Sequence, residues 1–249
     1  MPGRRNGADG DAVTRVAGRL RAPARLASAG AMMRALSWLL LLTMLAGATD
    51  PAAARKPRTP GIVRVRLETS AGAITLALDT RRAPATTANF LAYVDDGRFD
   101  GTSFYRSARR KSDPRFGFVQ GGIQTDSRRI LPPFPLEPTS QTGIRHLDGT
   151  ISMARHDDPK SAGGNYFITV GPIPTLDANA KSRGYAAFGR VIGGMDTVKR
   201  ILASPTGGGS DAMRGQMLAP PIRVLRAVRL DGTPKPTRFP RNWLDKRPR

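Results

Sequence analysis

Two short segments bring together side chains that could bind and polarise a substrate. Residues 103–106 (Ser-Phe-Tyr-Arg) and 118–122 (Phe-Val-Gln-Gly-Gly) each have the alternation that is typical of a β-strand. Side by side, they would place the guanidinium of Arg106, an aromatic ring and the amide of Gln120 on one surface. Neither a nucleophile nor a metal-ligating cluster accompanies them in the sequence. The set therefore suits a reaction in which no covalent bond is made or broken.

The composition is strongly basic without identifying an anionic partner. Forty Lys and Arg residues oppose 19 Asp and Glu, which gives a net charge of +21, and 33 of the 40 are Arg. One interpretation is the cationic surface of a soluble protein, and the other is attraction to nucleic acid or lipid headgroups. Aromatic residues make up 6% of the chain and are not interleaved with basic runs as single-strand binders require. We therefore predict no specific nucleic-acid partner.

Cysteine and histidine are too scarce to build a reactive centre. The chain has no cysteine, which excludes disulfides, thiol catalysis and thiolate metal sites. The two histidines, His146 and His156, are separated by a segment that is typical of a turn followed by a strand. We predict that both are solvent-exposed loop residues, and that the protein uses no metal or cofactor.

The beginning of the chain has the features of an export signal. A short basic region at 32–34 precedes about twelve apolar residues at 35–46, and small residues follow around Ala48 and Ala54. This order predicts a signal peptide cleaved after one of those alanines, within an upstream segment 1–54. An uncleaved anchor and a buried helix remain alternatives, although the apolar run is shorter than the roughly 20 residues of a membrane-spanning helix. After cleavage, no permanent membrane span is expected.

The rest of the chain is predicted to be mostly β. A linker at 55–61 leads into a folded segment at 62–231, and a basic, proline-rich tail at 232–249 is expected to be extended and solvated unless Phe239 and Trp243 dock. Glycines 207–209 predict a flexible loop. One helix should begin at Pro84 and stop at Gly97, and another should cover 194–203. Alternation and turn residues predict strands at 62–69, 73–79, 102–106, 116–122, 150–154, 165–170, 186–191 and 222–230.

Seven short motifs follow one another along the folded segment. They are Ala-Pro-Ala-Thr-Thr-Ala-Asn-Phe (83–90), Phe-Tyr-Arg (104–106), Phe-Val-Gln-Gly-Gly (118–122), Gly-Thr-Ile-Ser-Met-Ala (149–154), Asn-Tyr-Phe-Ile (165–168), Phe-Gly-Arg-Val (188–191) and Gly-Met (194–195). In this order, the set resembles the cyclophilin family of peptidyl-prolyl cis-trans isomerases. The resemblance covers residues 62–231 and implies a closed eight-stranded antiparallel β-barrel capped by two α-helices. It also implies an enzyme that rotates X–Pro bonds in unfolded or partly folded polypeptides.

The resemblance also assigns roles to individual residues. Arg106 occupies the position of the catalytic arginine, and Tyr185 stands where the best-known eukaryotic members carry a histidine, either as a pocket wall or as rim packing. The motif around Tyr185 is similar to bacterial periplasmic cyclophilins, which agrees with the signal peptide and predicts a location in the periplasm of a Gram-negative bacterium. We also expect the protein to be a monomer. The positions that floor the proline pocket are Phe118, Phe167 and Leu176, and those that hold the substrate backbone are Gln120, Ala154 and Asn165.

Several departures from the family pattern leave a second function open. Gly117 stands where a pocket phenylalanine is usual, so that Phe116 or Phe118 would have to fill its space. Asn165 replaces a glutamine, and Thr175 replaces the tryptophan of many eukaryotic members, which makes strong cyclosporin binding unexpected. The long, basic connection at 107–115 could displace the arginine from the pocket strand. The alternative is therefore a cyclophilin-like chaperone or scaffold with weak or no isomerase activity.

Overall fold

The computed structural model describes residues 61–158 and 161–244. The predicted signal segment at 1–54 and nearly all of the linker at 55–61 lie outside the described residues. Among the residues that are described, no helix combines the length and the apolar composition needed to cross a bilayer.

Nine antiparallel strands form one sheet that closes on itself. The hydrogen-bonded order is β1-β2-β7-β5-β6-β4-β3-β9, and β1 pairs again with β9, which closes an eight-stranded barrel; the two-residue β8 pairs only with β9. The prediction of a closed eight-stranded barrel is confirmed. The strands are β1 (Ile62–Thr69), β2 (Gly72–Asp79), β3 (Ser103–Arg109), β4 (Gly117–Gly122), β5 (Thr150–Met153), β6 (Asn165–Val170), β7 (Ala186–Gly193), β8 (Thr206–Gly207) and β9 (Met217–Arg229).

Alternation fixes which face of each strand enters the core. In the β1–β2 hairpin, Val65 lies opposite Leu76 and Leu67 lies opposite Ile74, and all four side chains are buried. The intervening arginines of β1 point outward, because successive side chains of a strand face opposite sides of the sheet. A shift of one residue would bury those charges, so the pattern determines the register.

Two helices cover the ends of the barrel, as predicted. Helix α1 (Pro84–Asp95) begins at a proline, whose missing N–H costs nothing in the first turn. The carboxylate of Glu137 accepts hydrogen bonds from the backbone N–H groups of Ala85 and Thr86, so a distant residue caps this helix. A four-residue turn, α2 (Thr139–Thr142), follows later in the chain, and α3 (Met195–Ala203) buries its apolar face on the barrel.

Aromatic rings fill the interior beneath α1. Phe90 lies 5.0 Å from Phe99, 5.4 Å from Tyr166 and 5.3 Å from Phe188, measured between ring centroids. All four rings are fully buried. Because such rings bury large areas and favour tilted or edge-on contacts, this cluster stabilises the contact between α1 and the barrel.

The described part of the tail, residues 232–244, lies against the barrel instead of being solvated throughout. The backbone N–H of Thr237 donates to the carboxylate of Asp96 at 2.6 Å, and Arg98 donates to the carbonyl oxygen of Pro240 at 3.1 Å. Of the two aromatic residues considered for docking, Trp243 packs over the guanidinium of Arg98 at 4.5 Å, whereas Phe239 is half exposed. The tail lacks strands, as expected, but it is tied to the end of α1.

Candidate active site

One cleft of about 360 Å³ opens on the surface formed by β3, β4, β6 and the first residue of β9. Strand pairing places Arg106 directly opposite Gln120, and Gln120 opposite Phe167 on the next strand. The register therefore brings together residues that are far apart in sequence. The cleft is lined by all eight residues named from the sequence: Arg106, Phe118, Gln120, Ala154, Asn165, Phe167, Leu176 and Tyr185. Their individual roles stay predictions.

The guanidinium of Arg106 is held at the edge of the cleft by two amide side chains. Its Nη1 donates to Oε1 of Gln120 at 3.0 Å, and its Nε donates to Oε1 of Gln216 at 2.8 Å. The ring of Phe118 lies 5.1 Å from the guanidinium carbon. Burial lowers the pKa of Arg106, but an arginine remains charged at neutral pH. The cleft thus contains a positively charged donor in a fixed orientation.

A chain of hydrogen bonds runs from Gln120 across the cleft wall. Nε2 of Gln120 donates to the hydroxyl of Tyr105 at 2.7 Å, and that hydroxyl lies 3.4 Å from Oδ1 of Asn165. Asn165 also exchanges two hydrogen bonds with the backbone of Gln124. Burial raises the pKa of Tyr105 to about 12, so its hydroxyl stays protonated. The amide of Asn165 therefore holds the loop after β4, while the amide of Gln120 fixes Arg106.

Three aromatic rings line the cleft and touch one another. The rings of Phe118 and Phe167 lie 5.3 Å apart, and Tyr185 meets Phe167 edge-on at 5.5 Å. The backbone N–H of Tyr185 donates to the carbonyl of Leu176, which holds these two cleft residues side by side. The guanidinium of Arg155 covers the outer face of Tyr185 at 5.0 Å. The hollow has the size and apolar character needed for a small ring such as that of proline.

The prediction that both histidines are exposed is wrong for His146, which is 1% exposed. Its Nδ1 lies 2.6 Å from the carboxylate of Asp177 and its Nε2 lies 3.0 Å from the hydroxyl of Ser152. Because a carboxylate only accepts, Nδ1 carries the proton and Nε2 accepts from Ser152. Burial lowers the pKa of His146, although Asp177 opposes this effect. Ser152 is fully buried, so this serine–histidine–aspartate set cannot reach a substrate.

The buried histidine instead packs against Phe167, one of the residues that line the cleft. Its ring is nearly parallel to that of Phe167, with a centroid separation of 5.7 Å and an interplanar angle of 12°. Asp177, its carboxylate partner, directly follows Leu176 of the cleft. His146 therefore packs beneath Phe167 and fixes the segment that carries Leu176. His156 is exposed, as expected, and lies at the rim of the cleft.

Two departures from the family pattern leave the cleft intact. A Cβ atom on Gly117 would lie 2.1 Å from the carbonyl oxygen of Ala108, and the φ of Gly117 is +148°, so no larger residue fits. Phe118 takes the place beside the cleft, while Phe116 packs near the guanidinium of Arg110. The connection between β3 and β4 does not displace Arg106, which keeps its register with Gln120. The expected displacement is therefore wrong.

Sequence reasoning missed several residues at the cleft, most of them outside the recognised motifs. Met213 and Met217 line the cleft from the loop before β9 and from its first residue, and Gln216 between them accepts a hydrogen bond from Arg106. They are more than 100 positions beyond Arg106, and nothing in their local pattern indicates the contact. Tyr105 directly precedes Arg106, and its position within the Phe-Tyr-Arg motif was the one available signal.

Residues 64–227 match the family model described as cyclophilin type peptidyl-prolyl cis-trans isomerase/CLD. A peptidyl-prolyl cis-trans isomerase A from Dickeya dadantii is 39% identical over 137 residues, which cover 55% of this chain and 70% of that protein. The isomerase cyp18 from Streptomyces antibioticus is 40% identical over 146 residues, or 57% of this chain and 85% of that protein. Both relatives are bacterial proteins.

A solved structure has the same fold. The crystal structure of a cyclophilin type peptidyl-prolyl cis-trans isomerase from Cryptosporidium parvum matches with a TM-score of 0.53 at 22% sequence identity. The match covers 69% of this chain and 99% of that one. At this identity the likeness extends to the barrel architecture alone.

Proposed function

The chain belongs to the cyclophilin-type peptidyl-prolyl cis-trans isomerases, and we propose that it rotates X–Pro bonds of unfolded exported polypeptides and so assists their folding. The observation that carries the proposal is the guanidinium of Arg106, which is fixed by Gln120 and Gln216 beside an apolar hollow. A cation and a ring-sized hollow are the two features that this reaction needs.

The reaction is slow because the X–Pro amide has partial double-bond character. The barrier is about 18–20 kcal/mol, and uncatalysed exchange takes roughly tens to hundreds of seconds. When the bond is twisted by about 90°, conjugation is lost and the prolyl nitrogen becomes a hydrogen-bond acceptor. Arg106 can donate to that nitrogen only in the twisted state, and such differential binding is what accelerates a reaction. Lowering the barrier by about 7 kcal/mol would give roughly a 10⁵-fold acceleration.

The other cleft residues hold the two sides of the rotating bond. In the proposal, Phe118, Phe167 and Leu176 enclose the proline ring, and the segment before the proline turns while the ring stays fixed. Gln120 and the backbone beside Ala154 and Asn165 hold the flanking peptide. Orientation of this kind lowers the barrier without any covalent step.

Catalysed refolding tests the proposal against the chaperone alternative. The full chain should accelerate the refolding of a protein whose slow phase is X–Pro isomerisation, at enzyme concentrations far below that of the substrate. Arg106→Ala should lose the acceleration, whereas Arg109→Ala, an exposed arginine of the same strand, should keep it. Suppressed aggregation with no acceleration in any variant would favour the chaperone or scaffold instead.

We further infer that the protein is exported to the periplasm of a Gram-negative bacterium and acts there as a monomer. Arg34, the apolar run at 35–46 and the small residues that follow support export. Fractionation of cells that express the full chain should place a shortened form in the periplasm, beginning at residue 49 or 55. Full-length protein retained in the cytoplasm would contradict export, and light scattering at twice the monomer mass would contradict the monomer.

A further inference from the structure

Gln216 is presented to Arg106 by a loop whose glycines adopt a specific bend. Gly208, Gly209 and Gly215 have φ values of +56°, +79° and +74°, which are easily adopted by glycine. The backbone N–H of Gly215 donates to the carbonyl of Gly208, which closes the loop on itself. Glycines 207–209, which predict a flexible loop, therefore belong to a loop of defined conformation that leads the chain back to the cleft.

The backbone of Gln216 is fixed on both sides. Its carbonyl accepts from the N–H of Ser107 at 2.9 Å, directly next to Arg106, and its N–H donates to the carbonyl of Met213 at 3.0 Å. The side chain is half-buried and its Oε1 accepts from Nε of Arg106 at 2.8 Å. Because the backbone of Gln216 is already fixed in the folded protein, its side chain loses little conformational entropy when it orients Arg106.

The partners of Arg106 are neutral. Its hydrogen bonds to described residues go to the amide oxygens of Gln216 and Gln120 and, at 3.4 Å, to the carbonyl of Ala212. Elsewhere the protein pairs arginines with carboxylates, as in the buried pair of Arg98 with Asp96. A carboxylate would orient a guanidinium equally well, but it would offset the charge on which the substrate depends. An amide oxygen fixes the direction of the side chain and leaves its charge in place.

We propose that Gln216 is a positioning residue for the isomerase reaction, holding the guanidinium of Arg106 toward the cleft through a neutral oxygen. The inference rests on the proposed function, because it acts through Arg106. Gln120 fixes Nη1, Gln216 fixes Nε, and two contacts on different nitrogens define the plane of the group. Of the five N–H groups of a guanidinium, one on Nη1 and one on Nη2 have no part in these contacts and are left to donate to the substrate.

A double-mutant cycle tests the proposal in the full chain. Gln216→Met keeps the length of the side chain and removes the acceptor. We expect kcat to fall about tenfold while KM changes less than about twofold, because the loss affects the transition state more than substrate binding. In an Arg106→Ala background, Gln216→Met should have no further effect. Gln141→Met, at an exposed glutamine of α2, is the matched control and should retain wild-type kinetics.

A second variant separates orientation from charge. Gln216→Glu retains an oxygen acceptor but pairs the guanidinium with a full negative charge, so kcat should also fall although the contact persists. Unchanged kcat in Gln216→Met, or equal losses from it with and without Arg106, would overturn the positioning role. A Gln216→Glu enzyme as fast as the wild type would overturn the requirement for a neutral partner. An inactive wild-type chain would instead refute the proposed function.

Discussion

The side chains around Arg106 combine a fixed direction with an unpaired charge. Two amide oxygens hold the guanidinium, and the ring of Phe118 lies beside it. Burial lowers the pKa of Arg106 without discharging it at neutral pH. The weaker solvation inside the cleft strengthens each hydrogen bond that the guanidinium can make to a twisted amide.

The buried His146 makes stability depend on pH. Its pKa is lowered in the folded protein, mainly by burial and despite the nearby carboxylate of Asp177, which Arg145 also approaches. The unfolded chain has an ordinary histidine pKa of about 6.5. Below that pH the unfolded state binds a proton that the folded state excludes, so the free energy of unfolding should fall from about pH 6.5 downward until the folded pKa is reached.

Urea unfolding at pH 7.5 and pH 5.5 measures this dependence. The wild type should lose more stability between the two pH values than His146→Gln does. His156→Gln replaces the exposed histidine, and its free energy of unfolding should fall by as much as that of the wild type between the two pH values. An equal loss in all three proteins would show that His146 does not cause the dependence.

Local sequence identified some of the residues of the cleft but not their distant partners. Arg106, Phe118 and Gln120 lie within two strands and could be placed on one surface from alternation alone. The buried environment of His146 depends on Asp177, which is 31 positions away, and the orientation of Arg106 depends on Gln216, which is 110 positions away. Such contacts are set by the packing of loops that carry no periodic pattern.

At the scale of elements, the end of the β3–β4 hairpin depends on Gly117. We expect Gly117→Ala to lower the free energy of unfolding by about 3 kcal/mol, because the new Cβ would overlap the carbonyl of Ala108. Gly101→Ala also places alanine at a positive φ, +75°, but has no neighbour within 4 Å, so it should cost clearly less. If urea unfolding gave equal losses of free energy for both variants, the positive φ would account for the cost and the overlap with Ala108 would not.

The tail is fastened to α1 through Asp96. Burial disfavours the ionised form of Asp96, but hydrogen bonds from Thr237 and Arg98 outweigh it and hold the pKa of that carboxyl below its usual value. Thr237→Val removes the hydroxyl donor to a buried charge and should cost about 2 kcal/mol of unfolding free energy. Thr233→Val, at an exposed position of the same tail, should cost almost nothing. Similar stabilities of the two variants would show that the hydrogen bond from Thr237 to Asp96 does not hold the tail against the barrel.

Strand and helix positions were predictable because their periodicity is strong, whereas the tail and the turn at α2 were not. The described strands differ from the predicted ones mainly at their ends, such as β9, which begins at Met217 instead of at 222. The tail was assigned from its prolines and charges, which describe its backbone correctly but give no sign of the buried Asp96 and Arg98 that bind it. The remote Glu137 cap on α1 likewise has no local signature.

For the whole molecule, charge should influence which substrates are turned over. Arg106 and Arg155 line the cleft, and none of the other described residues that line it is Asp or Glu. Because basic residues also outnumber acidic ones in the folded segment, the surface potential attracts anionic peptides. A Glu-Pro peptide should exceed a matched Lys-Pro peptide in kcat/KM by about tenfold at low salt, and the ratio should shrink at 0.5 M salt because of screening. A ratio that is independent of salt would contradict this account.

The alternation of apolar and polar residues does not predict that the barrel closes. Alternation in β1 and β9 predicts two strands, but not that Leu67 would lie opposite Ala227 and join the ends of the sheet. That pairing spans almost the entire folded segment. The expectation of a closed barrel came from the family resemblance, and the structure agrees with it.

The most direct test of the account is the exchange rate of an Ala-Pro tetrapeptide, measured by NMR exchange spectroscopy with the full chain at a small fraction of the peptide concentration. We expect the cis and trans proline signals to exchange rapidly with the wild type and with Arg109→Ala, and at nearly the rate of the peptide alone with Arg106→Ala. Rapid exchange that persists in Arg106→Ala, or none in the wild type, would contradict the central role assigned to that guanidinium.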